Sequence, residues 1–567
     1  MSQPHHPKRV VYLSANASRS HSSLAGRYLG ACARNSGFEW ETLEWTAGED
    51  DRSVLARLAE RPPALVCATF YLFNTEALLS VIRRFKALSP RAVVLGGGPE
   101  FLGDNRARLE RERGIDGVIR GEGELALPAF LEALDSPAAW ARIPGFCGFV
   151  NGDYADNGMA ETVGNLDRVA DLYAQDLAGA GPGDPPKSAL TRKPFVLIET
   201  SRGCRNRCAF CTSGSSASVR YVSLPKVREI LSAIRAAGTR SVWLADRTFN
   251  ERRTRSVDLL RMMRTAFDDL GFHLEIDPCR VGPALLGELA AARPGQFHLD
   301  VGVQSLDPSV LRAIGRRGPP ESALRGLAAL CRLPGVTVHA DLLAGLPGQT
   351  LAGVFDDLAK VIAVAPAEIQ LEVLKLLPGT RLNAERERRH LSASPDPPYD
   401  VLRTDAMDYA DLHLAHWLGR AVDWFYGLPC LKPVVARATA DAPDFWRRMV
   451  AHCRERARFE TTPTIENRFR LLRDAVGESA TERIRELAFA WMKEGLSPHA
   501  GFCDASPWPQ PLPEVAVLLE GDAAAKGGRQ YRLDLDRPYV FRYGRKDVAR
   551  QAVAVFALPE DERVGRQ

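Results

Sequence analysis

Three cysteines fall within eight positions of one another in the stretch "ETSRGCRNRCAFCTSG", Glu199 to Gly214: Cys204, Cys208 and Cys211, a C-x3-C-x2-C pattern. Thiols crowded in this way are candidate metal ligands. A structural zinc site needs four ligands, usually as two separated pairs, and this loop offers no fourth cysteine or histidine. Three thiolates suit a [4Fe–4S] cluster with one iron left open for something else. Arg202, Arg205 and Arg207 are placed to offset the charge of an anionic cluster, and Gly203 lets the backbone turn tightly. The competing reading is three structural cysteines in a loop. It is disfavoured by the position of the loop, directly after an apolar strand-like run.

Two glycine-rich stretches form a second candidate site. "LGGGPEF" follows one apolar run and "RGEGE" the next, so Gly96, Gly97, Gly98 and Gly123 bare the backbone for a large planar or phosphate-bearing ligand. Neither is the G-x-G-x-x-G fingerprint, so a nicotinamide dinucleotide is not favoured. The other eight cysteines (Cys32, Cys67, Cys147, Cys279, Cys331, Cys430, Cys453 and Cys503) are scattered singly without a CxxC pair. They read as small core residues, and no second metal site is expected.

Bulk composition bounds the class. The 567 residues are 45% apolar, 25% charged and 8% aromatic, as in an ordinary globular protein, and suffice for three or four domains. Lysine plus arginine number 74 against 70 for aspartate plus glutamate, an excess too small and too dispersed to suggest a nucleic-acid partner. No apolar run approaches the roughly 20 residues that span a bilayer. The start, "MSQPHHPKRVVYLSA", passes straight into a strand-like run without a signal peptide, so a cytoplasmic location with reduced thiols is expected.

These candidate sites need elements to position them. Apolar runs at 10–15, 64–73, 92–98 and 117–124 alternate with helix-length amphipathic segments. One of these begins at Asn74, a good N-cap, and carries Leu78, Val81, Ile82 and Phe85 on one face. The pattern predicts a doubly wound parallel sheet over residues 1–140. Residues 141–190, rich in Gly, Asp and Pro, read as a connector with a small hairpin. Strand runs resume at 194–200, 241–246, 272–277, 297–303, 336–345 and 369–376. Between the first two, a helix is capped by Ser223 and stopped at Gly238. Six strand–helix units predict a partial (β/α)6 barrel over 191–395, with its chemistry at the strand C-terminal ends, where the cysteines lie. Residues 396–567 read as a mostly helical domain, and Trp424, Tyr426 and Tyr409 within it as core packing more than pocket wall.

The cysteine spacing after the first barrel strand, with Phe210 before the last cysteine, resembles the radical S-adenosylmethionine (SAM) enzymes. That resemblance implies that the open iron chelates SAM. "LADRTF" resembles the segment that holds the SAM amino group, with Asp246 as acceptor. "VGVQS" resembles the fourth-strand signature, placing Gln304 and Ser305 near the SAM ribose or carboxylate, with Arg316 or Arg317 as the basic residue that follows. "LLAGLPGQT" resembles the region along adenine, giving Gly345 and Leu346, and "LKLLPGTRL" resembles the closing strand.

The set "SANASRSHSSLAGRYL", "FYLFNTEALLSVIRRFK", "VVLGGGPEF" and "IRGEGELALPAFLEAL" resembles the cobalamin-binding domain that precedes the barrel in one large subclass of that family. The two resemblances together cover 8–135 and 190–390. They imply cobalamin contacts from Ser14, Asn16, Tyr71, Leu72, Phe73, Asn74, Gly96, Gly97, Gly98, Pro99, Glu122 and Gly123, with Tyr71 to Asn74 under the corrin. The Asp-x-His-x-x-Gly loop of many cobalamin proteins is absent: Arg19 and Leu24 stand where Asp and Gly belong, so His21 is not expected to ligate cobalt. The implied cofactors are a [4Fe–4S] cluster, SAM and cobalamin. The implied activity is methyl transfer to carbon of a small-molecule or peptide substrate, with a flavodoxin- or ferredoxin-type electron donor and no nucleic-acid or membrane partner. Ring contraction or cyclisation on the same scaffold is the alternative, and a catalytically inert cobalamin-binding protein a weaker one. A methylthiotransferase is disfavoured because the first domain lacks a second three-cysteine set.

Overall fold

The apolar runs of the N-terminal region become strands closed on both faces. Every residue of β1 (Arg9–Asn16) is buried, and it pairs in parallel with β2 (Glu39–Thr46) on one side and β3 (Leu65–Thr69) on the other. β4 (Val93–Gly97) and β5 (Gly117–Ile119) continue the parallel sheet. An antiparallel hairpin, β6 (Phe146–Val150) and β7 (Asp153–Asp156), completes the order β2-β1-β3-β4-β5-β6-β7. The order reverses between β1 and β3, so the C-terminal ends of these strands flank the crevice where open α/β sheets bind ligands. The helix Thr75–Leu88 buries Leu78, Val81, Ile82 and Phe85 as its periodicity predicts. Asn74 precedes it but does not cap it with its side chain. Its amide accepts from Tyr71 N (2.8 Å) and donates to the carbonyls of Ala15 and Thr69 (3.2 Å each), tying the turn to two strand ends.

The structure, a computed structural model, describes residues 8–33, 36–170, 193–215, 218–456, 459–477 and 480–494, with 496–497, 503, 505–507, 517–520, 530–543 and 554–558. The expected hairpin of the connector is β6–β7, and positions 171–190 of that connector lie outside the described residues. The chain divides into two units, Met1–Val354 with Val373–Leu412, and Phe355–Glu372 with His413–Gln567.

In the first unit a second parallel sheet begins at β8 (Val196–Ile198). The short antiparallel ribbon of β9 (Ser201–Arg202) and β10 (Arg220–Tyr221) brackets the cysteine loop. β11 (Ser241–Leu244), β12 (Gly271–Ile276), β13 (Phe297–Gln304) and β14 (Val336–Ala344) follow in register. A further strand, β15 (Glu368–Val373), falls largely in the second unit. Burial alternates residue by residue along β12, β13 and β14. Buried apolar residues form one face, and half-buried, mostly polar residues form the other, the side that lines the interior of a barrel. Ser223 caps the helix Leu224–Ala236, whose Val227, Ile230, Leu231 and Ile234 are buried.

The second unit contains the helices Lys432–Asp441, Phe445–Arg456, Ile465–Val476 and Thr481–Lys493 and most of Tyr409–Phe425. Beyond the expected helices it adds an antiparallel sheet in the order Ser506–Pro507, Gln530–Asp534, Pro538–Arg542, Ala554–Ala557, Val517–Glu520. Trp424 stacks on Phe459 at 5.0 Å, and the Tyr426 hydroxyl donates to Pro366 O at 2.8 Å, so both are core residues, whereas Tyr409 is exposed. Among the described residues no disulfide is formed, and no helix is long and apolar enough to cross a membrane.

Two helix glycines differ in what they hold. A Cβ on Gly326 would lie 2.0 Å from the carbonyl oxygen of Pro278, whereas one on Gly287 would meet nothing within 4 Å. Gly326→Ala therefore lowers stability by about 1–3 kcal/mol through overpacking. Gly287→Ala raises it by about 0.5–1 kcal/mol through helix propensity. Thermal unfolding of both variants should shift in opposite directions.

Candidate functional site

The cysteine loop is held from both ends before any ligand is considered. Asp246, at the end of β11, accepts from Thr200 N (2.6 Å), Thr200 Oγ1 (2.6 Å), Ser201 N (3.0 Å) and Ser201 Oγ (2.7 Å). Gly203 at φ 105° and Arg207 at φ 52° turn the chain. Ala209 N donates to Ile314 O at 2.7 Å, and Ala209 O accepts from Leu382 N at 2.8 Å. Cys211 N reaches Cys208 O at 3.1 Å, and a Cβ on Gly214 would lie 2.6 Å from that same oxygen. Cys204 Sγ lies 3.4 Å from Thr248 Oγ1, and Cys208 Sγ, buried, 3.6 Å from Arg316 Nη1. Burial raises the Cys208 thiol pKa, Arg316 opposes that rise, and Cys211 and Cys204 are close enough to add to it.

The three thiols stand on one braced loop, and a soft, all-sulfur donor set fits an iron–sulfur cluster. Countercharge is arranged differently from the expectation. Arg205 is paired with Glu251 at 2.7 Å and Arg202 with three carboxylates, while Arg316 is the cation in contact with a thiol.

The other barrel residues singled out by sequence gather at the same strand ends. Phe210 is half-buried within the cysteine loop. Gln304 ends β13 at φ 71°, beside a register shift between Gly302 and Gln304. A non-glycine residue held in the left-handed region is a feature of sites where backbone position matters. Ser305 is fully buried, its Oγ accepting from Asp307 N at 3.1 Å. Gly345, at φ 85°, would bring a Cβ within 2.7 Å of Leu412, and buried Leu346 donates its N–H to Gln349 Oε1 at 3.2 Å. Asp246 is wholly buried with four donors on its carboxylate, so in this state it acts as the brace of the loop.

At the C-terminal edge of the first sheet, Ser14 Oγ donates to Asn16 Oδ1 at 2.8 Å, both buried. Tyr71 stacks on Phe73 at 5.5 Å, Leu72 is half-buried, and Phe73 remains 48% exposed, next to the ordered Asn74 turn. Packing explains two of the three consecutive glycines. A Cβ on Gly98 (φ 99°) would lie 2.7 Å from Phe70 O, and one on Gly96 would press on Phe101 and Val118 at 3.1 Å. Gly97 would meet only Ile119 O, at 3.6 Å, which leaves its side of the strand open. Pro99 starts the turn that follows. Gly123 would push on Leu29 at 3.0 Å, and Glu122 accepts from Val163 N at 2.9 Å. Half-buried Tyr71 stacked on exposed Phe73, beside a bare strand end, is a surface on which a flat, largely apolar macrocycle fits. His21 Nδ1 lies 2.8 Å from Ser18 Oγ, and its ring meets Phe195 edge-on at 5.0 Å. Burial and Lys193 lower its pKa.

One arginine joins the two edges. Arg202, two residues before Cys204, contacts Glu199 (2.5 Å) in its own loop and Glu122 (3.0 Å) and Glu124 (2.8 Å) from the loop after β5. Arg220 also pairs with Glu122. Burial pushes the Glu199 carboxyl up despite Arg202, whereas Arg220 and Arg202 hold Glu122 below its ordinary range against burial. A second junction joins Glu100 to the Tyr399 hydroxyl (2.5 Å) and Arg108 (2.9 Å). Sequence reasoning missed both networks. The acidic pair in "RGEGE" was the only local signal.

Comparison with known proteins agrees with this arrangement. Residues 11–131 match the B12 binding domain and residues 198–361 the radical SAM superfamily. Over 309 residues the chain is 25% identical to an uncharacterized methyltransferase of Pyrococcus horikoshii, covering 53% of this chain and 65% of that protein. It is 22% identical over 341 residues to the cobalamin-dependent radical SAM methyltransferase TokK of Streptomyces tokunonensis, covering 57% and 48%. The chain thus spans about half to two thirds of the length of these curated relatives. Its fold is that of the radical SAM methyltransferase TsrM of Kitasatospora setae, solved with cobalamin and a [4Fe–4S] cluster bound. The TM-score is 0.58 at 22% identity, over 72% of this chain and 81% of that one. The two domains imply a [4Fe–4S] cluster, SAM and cobalamin.

Removing the cation from a buried group of three carboxylates leaves uncompensated charge. Arg202→Met is expected to cost about 3–5 kcal/mol. Arg202→Lys, a point charge without the planar fork, recovers only part of that. Thermal unfolding followed by circular dichroism ranks the three proteins.

Proposed function

A B12-binding domain leads into a radical SAM domain in this chain, and on that premise we propose that it is a cobalamin-dependent radical SAM methyltransferase. It moves a methyl group from SAM, by way of cobalamin, to a carbon of a small-molecule or peptide substrate. The observation that carries this reading is the junction at Arg202, which links the three-cysteine loop directly to the glycine-rich edge of the first domain. Relatives described as methyltransferases support the reaction class.

In this reading Cys204, Cys208 and Cys211 would hold the cluster, and Tyr71, Leu72, Phe73 and Asn74 would contact the corrin. Ser14, Asn16, Gly96, Gly97, Gly98, Pro99, Glu122 and Gly123 border it. When bound, the cluster supplies an electron for reductive cleavage of SAM and cobalamin serves as the methyl carrier. Arg316 offsets thiolate charge at Cys208. Phe210, Gln304, Ser305, Gly345 and Leu346 bound the SAM pocket. Asp246 positions the loop through Thr200 and Ser201, and receiving the SAM amino group would require it to share that carboxylate. His21 stays with Ser18 and does not ligate cobalt. The electron enters from a flavodoxin- or ferredoxin-type donor.

The test is anaerobic reconstitution with iron, sulfide and hydroxocobalamin, followed by turnover of labelled SAM under a strong reductant. About four irons and one cobalt per chain are expected, with both S-adenosylhomocysteine and 5′-deoxyadenosine formed. Cys208→Ala should lose the iron and the 5′-deoxyadenosine yet keep the cobalt. Iron without cobalt would sink the cobalamin reading, and 5′-deoxyadenosine without S-adenosylhomocysteine would point to ring contraction or cyclisation.

A further inference from the structure

Three adjacent strands repeat one pattern. β12 carries His273-x-Glu275, β13 carries His298-x-Asp300, and β14 carries His339-x-Asp341. Residues two apart on a strand share a face. The parallel register sets His273 against His298, Glu275 against Asp300, Asp300 against His339, and Gly302 against Asp341. All six side chains therefore stand on the half-buried, concave face of the barrel sheet. His298 is the second residue of β13 and His273 the third of β12, so these two imidazoles lie toward the strand starts.

The imidazoles are fixed by stacking. Phe195 lies on Trp243 at 4.1 Å, Trp243 on His273 at 4.4 Å, and His273 on His298 at 4.5 Å with 15° between the planes. His273 Nε2 is 2.5 Å from Asp300 Oδ2, and His298 Nε2 is 3.5 Å from Asp300 Oδ1. His339 Nδ1 lies 3.8 Å from that same Oδ1, which is shielded from solvent and makes no hydrogen bond. One ligand atom from each of His273, His298 and Asp300 falls within 4.8 Å of the other two, the only such group among the described residues.

We propose that His273, His298 and Asp300 bind a divalent transition metal ion of the zinc type, separate from the iron–sulfur cluster. Two imidazoles and one carboxylate are a borderline-soft set that suits zinc or ferrous iron and not magnesium or calcium, which ask for oxygen cages. Three protein ligands leave a position open, as in sites where the ion meets water or substrate. His339 and Asp341, 3.6 Å apart, flank the site as candidate outer partners that orient the ligands. The absence of a second metal site had been expected from the cysteines alone, and these ligands are histidines and a carboxylate. This inference does not rest on the methyltransferase reading: the site exists or not whatever the enzyme methylates.

The test uses the full chain without a polyhistidine tag, with its cluster reconstituted so that Cys204, Cys208 and Cys211 are occupied. After chelator treatment and desalting, zinc is titrated in and retained zinc is measured by mass spectrometry alongside iron. About one zinc per chain beyond the cluster iron is expected. His273→Ala and Asp300→Asn should each weaken zinc binding by about 100-fold or more while leaving the iron content unchanged. Cobalt(II) in place of zinc gives a visible absorption band on the unmutated protein, so the site is read even if a variant fails to fold. No retained zinc and no cobalt(II) band on the unmutated chain would overturn the proposal, as would binding unaffected by both substitutions. A hydrogen-bonded His273–Asp300 relay without a metal would then be what the strip provides.

Discussion

The arrangement depends first on a half-buried guanidinium. Arg202 sits between Glu199 of its own loop and Glu122 and Glu124 of the first domain, and each contact is 3.0 Å or shorter. Three carboxylates taken out of water repel one another. Only a planar cation with several fixed donors satisfies them together. The geometry of this one side chain therefore sets how the loop bearing Cys204 meets the loop after β5. If a chain is to bring two large cofactors face to face, the edges that hold them must be registered to within an ångström or so. A charge network of this kind is more directional than apolar contact. Its cost when broken is what enforces the register.

The same logic recurs one layer deeper. Asp246 is spent on Thr200 and Ser201, so the first turn of the cysteine loop is set by β11. Ile314 and Leu382 then fix Ala209 at the centre of the loop. The loop that carries the three thiols is held by three separate segments, one through a carboxylate and two through backbone. Little of the ordering cost is left for ligand binding to meet.

Much of this was legible in the sequence because the decisive signals are local. The C-x3-C-x2-C spacing, the continuous apolar runs and the period of Leu78, Val81, Ile82 and Phe85 each report on one element. What was not legible is what joins elements. β2 was missed because, as an edge strand, "EWETLEWT" is half-exposed and lacks a continuous apolar run. Asn74 looked like a cap because its type and position allow it, but two strand ends compete for its amide and win. The terminal sheet was missed because the helical pattern that ends at Lys493 was extended to the C-terminus, although "YRLDLDRPYVFRY" alternates. Arg202 read as countercharge for a cluster because two of its three carboxylate partners, Glu122 and Glu124, lie about 80 positions upstream, beyond any pattern within the loop.

The glycines show why such signals need geometry before they carry function. Gly96 and Gly98 are already required by Phe101, Val118 and the backbone of Phe70, so their presence says nothing about a ligand. Gly97 and exposed Phe73, stacked on half-buried Tyr71, do, since nothing in the described fold accounts for a bare strand end beside that aromatic. The histidine strip reverses the case. Its H-x-acid repeat is invisible to motif reasoning that looks for ligands close together in one segment. It takes shape only when parallel register lays three strands side by side. Function in a barrel of this kind is written across strands, and single-segment reading recovers only the part that one loop happens to carry.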